Sequence, residues 1–88
     1  MTSTTTVQVT VRYFAAARAA AGNDAETIRI EPGTTVAEFV DRLGARDADL
    51  AKVLMRCTFL CDEIAVRDTS MVLRDAQTVD VLPPFAGG

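Results

Sequence analysis

From Val7 to Tyr13 every second residue is large and apolar: Val7, Val9, Val11 and Tyr13 alternate with Gln8, Thr10 and Arg12, and Phe14 closes the run. A period of two describes a strand with one face in a core and the other turned outward. Such a strand cannot stand alone, so the chain must supply neighbouring strands and a layer to cover the apolar face. Thr78 to Leu82 repeats the pattern near the other end, with Val79 and Val81 on one face and Asp80 on the other. Between them lies the strongest helical periodicity. Val36, Phe39, Val40 and Leu43 fall at i, i+3, i+4 and i+7, behind the T-x-x-E capping box of Thr35 and Glu38, with Gly44 as the expected stop.

The intervening segments fill in the order. Ala15 to Ala21 is an Ala-rich helix former stopped by Gly22-Asn23. Ala25 to Glu31 alternates again, with Ile28 and Ile30 inward, and Pro32-Gly33 ends it. Asp47 to Arg56 predicts a short third helix or turn. Thr58 to Cys61 and Ile64 to Val66 read as strands about a turn at Asp62-Glu63, and Val72-Leu73 as a brief pairing before the turn at Arg74 to Gln77. Two strands, a main helix, then further strands is the order of an α+β fold of β-grasp type, a mixed sheet with one main helix packed across one face. The first and last strands are the most apolar, which suits neighbouring central positions. The expected organisation is a flexible polar tail over 1–6, the β-grasp domain over 7–82 and an extended tail over 83–88.

Composition narrows the function. Forty-nine percent of the 88 residues are apolar, enough for one core, and the formal charge is −3. An acidic chain offers no footprint for nucleic acid or anionic lipid, and neither is expected as a partner. No apolar run reaches the roughly 18 residues of a membrane span, and the start Met1 to Thr6 lacks the basic and apolar regions of a secretory signal. A cytoplasmic location is expected. Cys57 and Cys61 fit it as free thiols, because in a strand their Cα atoms stand about 13 Å apart and a disulfide needs less than about 7 Å. With no His and two Cys, no metal site is expected. The absence of His also removes Ser-His and Cys-His nucleophile pairs, and no Gly-rich phosphate loop follows a strand. The 12 carboxylates are expected on a solvated face.

The ending is the unusual feature: Val81-Leu82-Pro83-Pro84-Phe85-Ala86-Gly87-Gly88. The prolines lack N–H donors and fix φ, so they end the sheet pairing and hold the chain extended. Gly87 and Gly88 have no Cβ and fit a narrow channel in another protein. Pro83, Pro84, Phe85 and Ala86 are candidate partner contacts, with Phe85 as the aromatic anchor. Phe14 is a further candidate, although core packing is the favoured expectation for its ring.

Three features together resemble the MoaD/ThiS family of ubiquitin-like sulfur carriers, and within it the molybdopterin synthase small-subunit branch. They are this tail, the segment Tyr13-Phe14-Ala15-Ala16-Ala17-Arg18-Ala19-Ala20-Ala21-Gly22, and the helix capped at Thr35. The resemblance departs at two turns. Family members often carry Asn-Gly where this chain has Cys61-Asp62-Glu63, and Asp-Gly-Asp where it has Asp75-Ala76-Gln77. The resemblance implies a carrier with no bound cofactor and no active site of its own. Its Gly88 carboxylate would be adenylated with ATP by an E1-like (MoeB-like) enzyme and converted by a persulfide sulfur donor to a thiocarboxylate. The large (MoaE-like) subunit of molybdopterin synthase would then receive the tail, with Gly87 and Gly88 as the reacting end. Alternatives are a carrier for thiamine, cysteine or tRNA thiolation, a protein modifier that joins Gly88 to a lysine, or an interaction domain with an inert tail.

Overall fold

The computed structural model describes residues 6–84. Val7–Tyr13 (β1) and Ala25–Ile30 (β2) form an antiparallel pair joined through the short helix α1, Ala16–Ala21. Helices α2 (Val36–Ala45) and α3 (Ala48–Leu54) follow, then β3 (Thr58–Cys61), β4 (Ile64–Ala65) and β5 (Gln77–Leu82). The five strands stand in the order β2-β1-β5-β3-β4. The last strand returns to the middle and runs parallel to the first, with Val11 beside Val79 and Tyr13 beside Val81. This is the β-grasp arrangement expected from the alternating ends. It places the end of β5, Leu82, between β1 and β3 in the middle of the sheet.

Alternation decides which face is covered. Val7, Val9, Val11 and Tyr13 of β1 and Val79 and Val81 of β5 are buried against Val36, Phe39 and Leu43 of α2 and Leu50 and Leu54 of α3. Val40, expected on the same stripe, is only half-buried at the margin of this core. The capping box forms as read. Thr35 Oγ1 accepts from the Glu38 N–H at 3.2 Å, and Glu38 Oε1 accepts from the Thr35 N–H at 2.9 Å.

Gly44 does not stop α2. The helix continues to Ala45, and a Cβ on Gly44 would lie 3.3 Å from Ala51 Cβ. Gly44 is the close-approach point between α2 and α3, a role that periodicity within one helix cannot reveal. The two turns that depart from the family pattern keep positive φ without glycine: Asp62 at 50°, Glu63 at 70° and Ala76 at 67°. Hydrogen bonds hold them. Asp62 Oδ1 accepts from the Thr78 N–H at 2.9 Å, and the Ala76 N–H donates to the Gln8 carbonyl at 2.8 Å.

The expectation that every carboxylate is solvated fails at Asp80, which is 4% exposed on the uncovered face of the sheet. No helix among the described residues is long and apolar enough to cross a membrane.

Candidate functional site

The tail leaves the sheet between two neighbours. Within β5, Val81 lies beside Tyr13 of β1 and Leu82 beside Thr58 of β3. The last bond to β1 is made by the Phe14 N–H, which donates to the Val81 carbonyl at 3.2 Å. Pro83 follows half-buried and Pro84 exposed. Neither has an N–H to continue the ladder, so the chain must leave the sheet here. Phe85, Ala86, Gly87 and Gly88, the remaining expected contacts and the expected reacting end, lie outside the described residues, as do Met1 to Thr5 of the polar tail.

Phe14 does not pack into the core; the residue is 38% exposed at the root of the tail. The reason is backbone geometry. Ala15 adopts φ 51°, ψ −125°, a conformation other residues rarely take, and the Ala17 N–H donates to the Phe14 carbonyl at 3.0 Å. Phe14 continues the outward parity of Gln8, Thr10 and Arg12 along β1, and the tight turn that starts α1 follows it directly; on that uncovered side the Arg12 guanidinium lies 5.6 Å from its ring centroid.

Arg12 is also one half of an ion pair that the strand pattern alone did not announce. Its Nε donates to Asp80 Oδ1 at 2.6 Å and its Nη2 to Oδ2 at 2.8 Å. The fork matches the carboxylate edge to edge, which is why a desolvated Asp is tolerated on a central strand. The signal was present in the sequence as a lone Asp between two inward valines, on a strand that had to be central. Its partner is fixed only by the parallel register that sets Arg12 beside Asp80.

The remaining titratable groups serve the fold. Tyr13 Oη donates to Glu26 Oε2 at 2.8 Å, and Arg46 Nη1 donates to the same oxygen at 3.0 Å. Burial alone would push the Glu26 carboxyl up, but the bonds from Arg46 and Tyr13 outweigh it and hold the carboxyl below its usual range. Cys57, next to Thr58 at the tail root, donates its thiol to the Val53 carbonyl at 3.1 Å, and burial pushes it up to about 11. Cys61 is raised by burial and by Asp62. Both cysteines are free, one half-buried and one buried. At neutral pH both are thiols, poor nucleophiles. Among the described residues no group of three or more His, Cys, Asp and Glu is placed to hold a metal ion.

The described part of the tail thus leaves a β-grasp sheet at Pro83 and Pro84, beside the half-exposed Phe14. The ThiS family model matches residues 11–88, from the middle of β1 through the final glycine. The chain belongs to the ThiS family. A molybdopterin synthase sulfur carrier subunit from Chlamydomonas reinhardtii is 29% identical over 83 residues, 93% of this chain and 100% of that protein. Molybdopterin converting factor subunit 1 from Pyrococcus furiosus superposes with a TM-score of 0.81 at 25% identity, covering 90% of this chain and 99% of that one. Two more distant likenesses show the shared fold alone. One is the complex of subunits 1 and 2 of the molybdopterin-converting factor from Helicobacter pylori, with a TM-score of 0.65, 21% identity and 93% and 100% coverage. The other is the small archaeal modifier SAMP1 from Haloferax volcanii, with a TM-score of 0.80, 18% identity and 92% and 99% coverage. ThiS-family membership makes this chain a sulfur carrier of the β-grasp type.

Proposed function

We propose that this ThiS-family chain is the sulfur-carrying small subunit of molybdopterin synthase and carries sulfur as a thiocarboxylate on Gly88. The observation that carries the reading is the exit of the tail from the central strand β5, at Pro83-Pro84, with the family match running on through Gly88. The name of the Chlamydomonas relative supports the pathway, and the Helicobacter pylori complex supports a second subunit as the receiving partner.

The chemistry follows from what a carboxylate lacks. It is a poor acyl donor, because its leaving group would be oxide. An E1-like enzyme with ATP turns the Gly88 carboxylate into an acyl-adenylate and releases pyrophosphate. A persulfide sulfur on a donor protein then attacks the carbonyl carbon, and AMP leaves. A thiol cleaves the resulting acyl disulfide, is itself oxidised to a disulfide, and leaves the thiocarboxylate on Gly88. The product is a sulfur nucleophile at neutral pH with no local base, which suits a domain without histidine. The large synthase subunit supplies the catalytic groups that move this sulfur onto the pterin precursor.

The test is intact mass after incubation with ATP, the activating enzyme and a persulfide donor. The expected product gains one oxygen-to-sulfur exchange, localised to the C-terminal peptide. Lysine conjugates with no such exchange would favour a modifier instead.

A further inference from the structure

The open face of the sheet carries a desolvated charge that neither the fold nor the chemistry of the tail requires. Asp80 points away from the core, since Val79 and Val81 on either side of it are buried there, yet it is 4% exposed. It is covered by Arg12, beside it on β1. Leu60 of β3 flanks the pair on one side and Ala25 of β2 on the other. Toward the tail lie Phe14 and Leu82. Away from it is a depression of about 240 Å³ bounded by Thr10, Thr78, Asp62 and Glu63 with the ion pair itself. The pair therefore stands on the boundary between an apolar half and an acidic half of one surface. Its fork uses Nε and Nη2 of Arg12. Among the described residues Nη1 donates to nothing, and the side chain is 47% exposed.

Only the Asp80 half of the pair is buried, and apolar residues at both positions would leave no buried charge unpaired, a replacement that is often neutral or stabilising. The pair acts instead on whatever covers this face. A protein surface that docks here strips water from Nη1. Where that surface is apolar, two charged donors lose their partners, which is a severe penalty on binding. Where it offers an oxygen, the donors are satisfied. That oxygen is uncharged, since Asp62, Glu63 and Asp80 already make the neighbourhood acidic and would repel a carboxylate.

We infer that the Arg12–Asp80 pair is a specificity determinant of docking, selecting a tail-receiving partner that sets a carbonyl oxygen opposite Arg12 beside an apolar patch facing Phe14 and Leu82. Surfaces that are apolar throughout are rejected, the repulsive half of recognition. This rests on the carrier reading, which makes the large synthase subunit the occupant of the face.

The experiment is calorimetric titration of the large subunit from the same organism with three carriers: wild type, the double variant Arg12→Leu/Asp80→Val, and Arg12→Lys. Each carrier is also melted thermally. The double variant removes the pair without orphaning either charge. The lysine variant keeps the charge and loses the planar fork, so it decides the matter if the double variant does not fold. Both are expected to melt within a few degrees of wild type. The double variant is expected to bind about 10-fold or more weakly, by loss of hydrogen bonds to a charged group, and Arg12→Lys to fall between. Folded variants that bind within about twofold of wild type, far less than such a lost bond costs, would overturn the inference alone. Failure of the wild type to bind the large subunit would overturn the carrier reading together with it.

Discussion

Cys57 and Cys61 were legible in sequence as unpaired thiols, and the structure adds the reason they stay unreactive: burial, and for Cys57 a hydrogen bond to the Val53 carbonyl. On the proposed mechanism sulfur loading bypasses both thiols. A variant with both changed to Ser or Ala is expected to accept sulfur at the wild-type rate, read by intact mass; a folded variant that cannot be loaded would demand a cysteine relay. Glu26 gives the pH dependence. Its folded pKa is depressed, so its contribution is present above the unfolded value of about 4.3 and is lost as pH falls through the folded pKa. The gap in melting temperature between wild type and Glu26→Gln is expected to be widest near neutral pH and to close in acid. A gap that stays constant below pH 4.3, the ordinary Glu value, would contradict this. Asp80 and Phe14 were the residues that sequence reasoning misplaced. For Asp80 the local signal was its place between two inward valines, but the residue that covers it lies 68 positions away.

At the scale of elements, periodicity located every strand and helix, because alternation and the capping box are written in contiguous residues. What it could not supply was the contact between elements. Gly44 looked like a helix stop because glycine often ends helices; it is instead where α2 passes so close to α3 that an added Cβ would lie 3.3 Å from Ala51 Cβ. Gly44→Val is expected to destabilise by about 1–3 kcal/mol through overpacking, measured by denaturant titration. A neutral result would mean the two helices separate freely. The turns that depart from the family pattern are the other case. Glu63 holds φ at 70°, a conformation that carries roughly 1–2 kcal/mol of strain for a residue with a Cβ. Glycine would relieve this while adding about 0.5–1 kcal/mol of unfolded-state entropy. Glu63→Gly is thus expected to stabilise by up to about 1 kcal/mol. Loss of stability instead would show that the Glu63 side chain makes a contribution larger than its strain.

For the whole molecule, the parallel pairing of β1 with β5 is the decision from which the rest follows. Two strongly alternating segments at opposite ends of the chain made their adjacency legible, and that adjacency puts β5, with Pro83 after it, at the centre of the sheet. The same pairing brings Phe14, Arg12 and Asp80 together around the exit, a juxtaposition that no local pattern encodes. On the proposed function, activity resides in the carboxylate of Gly88. Deleting Gly88, or adding one residue after it, moves the chain end by about 3.3 Å, as far as the reacting atoms may stand apart, about 3–3.5 Å. The decisive measurement is intact mass of wild type and the Gly88 deletion side by side, after incubation with ATP, activating enzyme and sulfur donor, with a thermal melt of each. The oxygen-to-sulfur exchange is expected in the wild type alone, with the same melting temperature in both; a Gly88 deletion that takes up sulfur as fully as the wild type would place the activity elsewhere.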